Sequence, residues 1–232
     1  MSAPARALRF LEVPALLSVP AAMAFCALRG VDATAGFTLF VAVFSVLLML
    51  ASFEASRPLM RQLMPTIVLA AVAAAGRMLF SPFADIKPVS AICIVAGAAL
   101  GRRSGFATGA LAALTSNFFF GQGPWTPWQM YAWGLVGYLG GVLAERGVFE
   151  RHASLVLVYG LLSGILYGFI LNSWHVIGFV HPLNWHTALL AYGAGAPLDV
   201  VHGVATAVFL ALIYVPWRRA IERVVAKYGL GG

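Results

Sequence analysis

Between two apolar stretches lies an uncharged run, Asn117-Phe-Phe-Phe-Gly-Gln-Gly-Pro-Trp-Thr-Pro-Trp-Gln-Met130, rich in amides and aromatic rings. Asn117, Gln122 and Gln129 can donate and accept hydrogen bonds, and Trp125 and Trp128 can stack on an organic ring. Two glycines and two prolines break the helical period here, so backbone groups must find water, protein or a ligand. The sequence predicts a helix restart with Thr126 as N-cap, Pro127 at the first position and Gln129 completing a capping box. That places both Trp residues at a helix mouth, beside unsatisfied N–H groups. Trp also concentrates at membrane–water boundaries, so the pair fits an interfacial belt as well as a ligand platform.

Other groups with chemical potential are few. Asp199 is expected in the first turn of the last helix, behind Pro197, where the helix dipole favours a carboxylate. His202, three residues on, shares its face, so the two could bind a polar ligand or satisfy each other. Arg77 sits near one end of the third apolar segment and either contacts a pocket or snorkels. His175, His181 and His186 are irregularly spaced with no carboxylate among them, and Cys26 and Cys93 lie in apolar stretches. Neither a metal site nor a disulfide framework is expected. The chain has no P-loop, no Gly-Lys pair and no His-Glu-x-x-His, which removes ATP and zinc-peptidase chemistry. Gly160-Leu-Leu-Ser163-Gly164 lacks the spacing and the companion His of an intramembrane serine protease. No inverted repeat marks a transporter of the broken-helix design.

These groups must be carried by membrane helices. The 232 residues are 61% hydrophobic and 10% charged, with a mean hydropathy of +0.89. A soluble domain carries roughly 25% charged residues, so the chain reads as an all-α polytopic membrane protein. Eight apolar segments are expected, near 13–28, 37–53, 63–80, 88–100, 105–120, 127–144, 154–172 and 197–216. The fourth would rise only about 20 Å against a hydrocarbon core of about 30 Å, and reads as a short span beside a long loop. Arg6 and Arg9 precede the first segment without a small-x-small cleavage site, so that helix is expected to be retained.

Twelve of the fifteen Lys and Arg fall on one side of this arrangement: Arg6, Arg9, Arg57, Arg61, Arg102, Arg103, Arg146, Arg151, Arg218, Arg219, Arg223 and Lys227. Arg29 and Lys87 fall on the other, and Arg77 lies inside a helix. Positive-inside asymmetry then puts both termini in the cytoplasm. The net charge of +7 records topology and not nucleic-acid binding. The connections 81–88, 117–130 and 172–196 share the external face. Small residues at four-residue spacing, Ala70/Ala74, Ala71/Ala75, Gly97/Gly101, Gly105/Gly109 and Gly137/Gly141, permit close helix contact. The Ala-rich face also suits docking to another membrane protein.

Residues 60–220 resemble the six-helix substrate-binding (S) component of energy-coupling factor (ECF) vitamin transporters. The likeness lies in the Ala70/Ala74 face, in Phe83-Ala-Asp-Ile-Lys-Pro-Val-Ser90 leading into a short helix, and above all in Ser116–Gln129. It implies a six-helix core in 61–232 preceded by two extra transmembrane helices in 1–60. It also implies a vitamin held by external loops, a transmembrane scaffold (T) subunit docking on Ala70, Ala71, Ala74 and Ala75, and two separate ATPases in a bacterial cytoplasmic membrane. By position the expected ligand contacts are Asp85 and Lys87; Asn117, Gln122, Trp125, Trp128 and Gln129; and Trp174, His175, Asn184, Trp185, Asp199 and His202. The Gln-Gly-Pro-Trp-Thr-Pro-Trp run is similar to a cobalamin-type subgroup, which makes a corrinoid the first expected substrate. Riboflavin, biotin, thiamine or a queuosine precursor are the alternatives. The protein would hold no cofactor of its own. A membrane enzyme acting on a lipid or isoprenoid, and a non-transporting scaffold, are the rival readings.

Overall fold

A computed structural model describes residues 3–29, 34–55, 60–152 and 154–229. Arg57 and the side chains of Arg6, Arg9 and Arg61, counted above for charge asymmetry, lie outside the described residues. Everything regular among them is helical: α1 (Ala3–Arg29), α2 (Thr34–Ala55), α3 (Met60–Leu79), α4 (Val89–Leu100), α5 (Arg102–Phe120), α6 (Trp125–Glu145), the single turn α7 (Val148–Arg151), α8 (Ser154–Phe179) and α9 (Trp185–Tyr228). Four helices are long and apolar enough to cross a membrane, at Phe10–Arg29, Gly36–Glu54, Ser154–Phe179 and Trp185–Tyr228. Leu63–Leu79 and Val89–Leu100 are shorter apolar helices.

The short helix is the axis of the bundle. Every residue of α4 from Val89 to Gly97 is buried, and α3, α5, α6, α8 and α9 all pack on it. Protein covers it in place of lipid, so it need not match the bilayer thickness. Gly101, with φ of 90°, reverses the chain between α4 and α5. That single residue makes the connection between the expected segments 88–100 and 105–120, because a positive φ turns the backbone where a side chain would strain it. The expected small-residue contacts are present between neighbouring helices. A Cβ on Gly105 or Gly137 would run into the backbone of the other, and one on Gly164 into Gly203.

The first two helices form a hairpin laid on this core. Helix α2 packs on α5, α6 and α8, and α1 on α8. Leu16, Val19 and Met23 of α1 and Ala42, Val46 and Met49 of α2 share one apolar cluster with Phe106, Trp128 and Tyr131. One carboxylate pins the hairpin at the end of the bundle that carries Arg102 and Arg103. Glu12, only 1% exposed, accepts from Ser52 and from Arg103 Nε, and from Tyr138 at 3.2 Å. Arg102 lies 3.9 Å from it. Glu12 drew no attention in the sequence because it stands just ahead of the first apolar segment.

Three local expectations are corrected. The 172–196 connection is not a long loop: α8 continues to Phe179 and α9 begins at Trp185. Asn184 accepts from Thr187 N at 3.0 Å while Thr187 Oγ1 accepts from Asn184 N at 3.1 Å, and this reciprocal cap starts α9 early. Pro197 therefore lies inside a helix, as proline can where neighbouring helices support it, and Asp199 is far from the first turn. Thr126 is not an N-cap, because α6 begins at Trp125 behind Pro124 and no side chain caps it. The 44 residues of α9 rise about 66 Å, more than twice a hydrocarbon core.

Removing one partner of a buried ion pair strands the other. Glu12→Ala should therefore destabilise the detergent-purified protein by about 3 kcal/mol, whereas Ala at the exposed Glu54 should be near neutral. Melting both variants checks this. Equal midpoints would mean that Glu12 does not clasp the hairpin.

Candidate functional site

At the end of the bundle where the connections 80–88, 121–124 and 180–184 lie, a polar network is built around one cation. Arg77, in the last turn of α3, donates from Nη1 to Ser116 Oγ and to Asn117 Oδ1, both at 2.6 Å. Its guanidinium lies 4.7 Å from the Phe120 ring centroid and 4.9 Å from that of Trp133, a cation held between two aromatic rings. Asn117, fully buried, passes the network on. Its Nδ2 donates to Thr126 Oγ1 at 3.0 Å and to Gln129 Oε1 at 2.8 Å. Thr126 in turn donates to Gln122 Oε1 at 2.8 Å, and Gln122 Nε2 to the Leu114 carbonyl at 2.9 Å. The fourteen-residue run is thus folded back on the end of α5 by its own amides.

A second wall comes from α4, α8 and α9. Trp133 stacks on Tyr167 at 4.7 Å, and Tyr167 meets His202 at 4.9 Å. His202, 4% exposed, shares a 2.8 Å hydrogen bond with Ser90 at the start of α4. Asp199 accepts from Asn172 Nδ2 at 2.9 Å, and two glycines seat this pair. A Cβ on Gly168 would overlap the Asp199 carboxylate, and one on Gly195 would lie 2.6 Å from Asn172 Nδ2.

The connection 80–88 closes the ring of groups. Asp85 has φ of 54°, a left-handed conformation that Asp adopts more readily than most residues. Asp85 and Lys87 in this connection, with Arg77 and Asp199, give this end of the bundle two cations and two carboxylates, whose formal charges cancel. Trp133 Nε1 is buried there without a hydrogen-bond partner among the described residues.

Of the residues expected from the sequence, the structure brings Asp85, Lys87, Asn117, Gln129, Asp199 and His202 to this region, and links Gln122 to it through Thr126. Asp199 and His202 do not satisfy each other, since their partners are Asn172 and Ser90. Trp128 goes elsewhere. It is 0% exposed, packs with the α1–α2 cluster and stacks on Trp174 at 6.3 Å. The hairpin covers that side of α6, while one turn apart Gln129 meets Asn117 on α5 and Trp133 meets Arg77 on α3 and Tyr167 on α8. Trp125 is 39% exposed and its ring lies over Gly123. Trp185 is 68% exposed against His186. His175 stacks on Phe179 and Asn184 is spent on the helix cap. Ala70 and Ala74 point into the core and are buried, whereas Ala71 and Ala75 are exposed on the outer side of α3.

Sequence reasoning left Arg77 open between a pocket contact and a snorkelling cation, and did not single out Ser90, Ser116, Trp133, Tyr167 or Asn172. Trp133 had a signal, since it follows Gln129 by one helical turn. Arg77 and its acceptors are some forty positions apart, and nothing local announces them.

No group of three His, Cys, Asp or Glu among the described residues could hold a metal ion. No curated protein matches the chain, and no solved structure does. Residues 60–219, about two thirds of the chain and all of the helices that build the site, match the family model described as ECF-type riboflavin transporter, S component. The chain therefore belongs to the S components of ECF-type transporters, membrane subunits that bind a substrate and are not enzymes.

Proposed function

We propose that this chain captures a vitamin for an ECF-type importer, and that the groups around Arg77 form its seat. The observation that carries the proposal is the convergence of polar side chains from α3, α4, α5, α6, α8, α9 and the 80–88 connection on one end of the bundle. A packed membrane protein has no structural need to gather Arg77, Asp85, Lys87, Asp199 and His202 in one place. Eight helices cross the bilayer with both termini in the cytoplasm, following the basic residues at the opposite end. The seat then opens outward, in a bacterial cytoplasmic membrane.

The cancelling charges favour a substrate with no net charge. Phe120, Trp133 and Tyr167 supply an aromatic lining for a flat ring, and Gln129 and the unpartnered Trp133 Nε1 offer hydrogen bonds to its edge. A compact heteroaromatic vitamin suits these features, and the family description makes riboflavin the first candidate. A corrinoid is less well served, because Trp128, one of the two Trp residues expected at the helix mouth, is buried against Trp174. Transport would need a scaffold subunit and two ATPases. The exposed Ala71 and Ala75 offer the scaffold a small-residue face on α3.

A thermal-shift panel of riboflavin, cobalamin, biotin and thiamine on detergent-purified protein tests the assignment, since tight binding raises the melting point by mass action. Riboflavin should shift the wild type. Arg77→Gln should weaken binding about 10- to 100-fold, the range for losing charged hydrogen bonds, while Trp125→Ala should bind as the wild type does. A folded Arg77→Gln variant with undiminished affinity would remove Arg77 from the seat, and a silent panel would remove the vitamin assignment.

Assembly gives a second test. Ala75→Leu should reduce co-purification with the scaffold and ATPase subunits while leaving vitamin affinity unchanged. An undiminished complex would take the outer side of α3 out of the docking surface.

A further inference from the structure

A separate cavity of about 320 Å³ lies between α1, α6, α8 and α9. It is on the hairpin side of α6, away from Gln129 and Trp133. Its walls are almost wholly hydrocarbon, with Met23 and Ala24 of α1 facing Leu166 and Ile170 of α8. Three hydroxyls reach it, and all are already bonded within the protein. Tyr131 donates to the Leu16 carbonyl at 2.6 Å. Ser173 donates to the Phe169 carbonyl at 2.6 Å and pairs with the Tyr192 hydroxyl. Nothing in the lining asks for a polar ligand, and a water there would lack the two to four partners it needs.

Position and length name the occupant. The lining on α8 runs from Leu166 to Ile177, two residues short of the helix end at Phe179. Those eleven steps rise about 16 Å, close to one leaflet of a hydrocarbon core about 30 Å thick. The cavity thus occupies one half of the bilayer, at the end that carries the vitamin seat. Both α1 and α8 are membrane spans by length and composition. The exposed Ala24 and Phe169 on the cavity wall put its mouth toward lipid. Arg29, in the last turn of α1, follows the cavity-lining Ala27 by two residues, where a cation can meet a lipid phosphate.

We propose that this cavity binds one acyl chain of a phospholipid from the leaflet on the seat side, entering sideways between α1 and α8. It is a lipid site of the hairpin, independent of vitamin binding.

The test uses the full chain reconstituted in phosphatidylethanolamine–phosphatidylglycerol vesicles containing a phospholipid with a mid-chain diazirine. After irradiation, peptide mapping should show label concentrated on Met23, Leu166 and Ile170 over outward positions such as Leu189 and Leu212. Ala24→Phe should abolish that concentration, Ala21→Phe should not, and saturating riboflavin should leave it unchanged. Label spread evenly over lipid-facing positions in the wild type would overturn the proposal, whether or not Ala24→Phe folds. Displacement by riboflavin would assign the cavity to the substrate instead. Native mass spectrometry of protein from cell membranes supplies an independent arm. One retained phospholipid per chain supports the proposal, and a retained isoprenoid or no retained lipid contradicts it.

Discussion

A guanidinium lodged between helices in an apolar protein must be surrounded by acceptors and aromatic faces, and that requirement organises one end of this molecule. Arg77 obtains two hydrogen bonds from the last turns of α5 and two ring faces from α5 and α6. Contacts of this kind strengthen as water is excluded. Asn117 can accept from Arg77 only because its own amide donors are taken by Thr126 and Gln129, so the cation fixes the reversal between α5 and α6. The ring that shields the cation on one side, Trp133, faces Tyr167 on α8, and through it His202 on α9. Placement of one charge is thereby spread across most of the core.

The remaining helices act mainly to keep that end in register. Helix α4 is short and sealed on all sides, with glycines where α5 and α6 come close, so backbones rather than long side chains set the spacing. The α1–α2 hairpin is anchored at both depths: by an apolar cluster along α6 and by the Glu12 carboxylate among Ser52, Tyr138 and Arg103. Such a buried acid is costly alone and holds only with its partners. It makes the hairpin part of the same body as the core, so any reorientation of the core in the membrane carries α1 and α2 with it.

Much of this was legible in the chain. Hydropathy located a helix at every one of the eight segments, and the spacing of Gly97, Gly105 and Gly137 announced their close contacts. Asp85, Asn117, Gln129, Asp199 and His202 stood out as polar groups in apolar surroundings, and the fold gathers them at the end of the bundle that carries Arg77. What failed was local grammar overridden by tertiary context. Thr-Pro-Trp-Gln reads as a capping box, yet Asn117, nine residues upstream, takes both Thr126 and Gln129. The region 172–196 reads as a loop because it holds His, Trp, Gly and Pro, yet α8 runs on to Phe179 and the Asn184–Thr187 cap starts α9 at Trp185, leaving only 180–184 outside a helix. Trp128 and Gln129 are neighbours in sequence and belong to opposite sides of α6, a distinction that depends on where the hairpin lands.

A ligand-bound structure of the purified protein is the most direct measurement. Bound vitamin in contact with Arg77, Gln129 and Trp133, at the loop-bearing end of the bundle, is the predicted result. Vitamin resting on the exposed Trp125 and Trp185, or inside the cavity between α1 and α8, with Arg77 still enclosed by Ser116, Asn117 and its two rings, would contradict it.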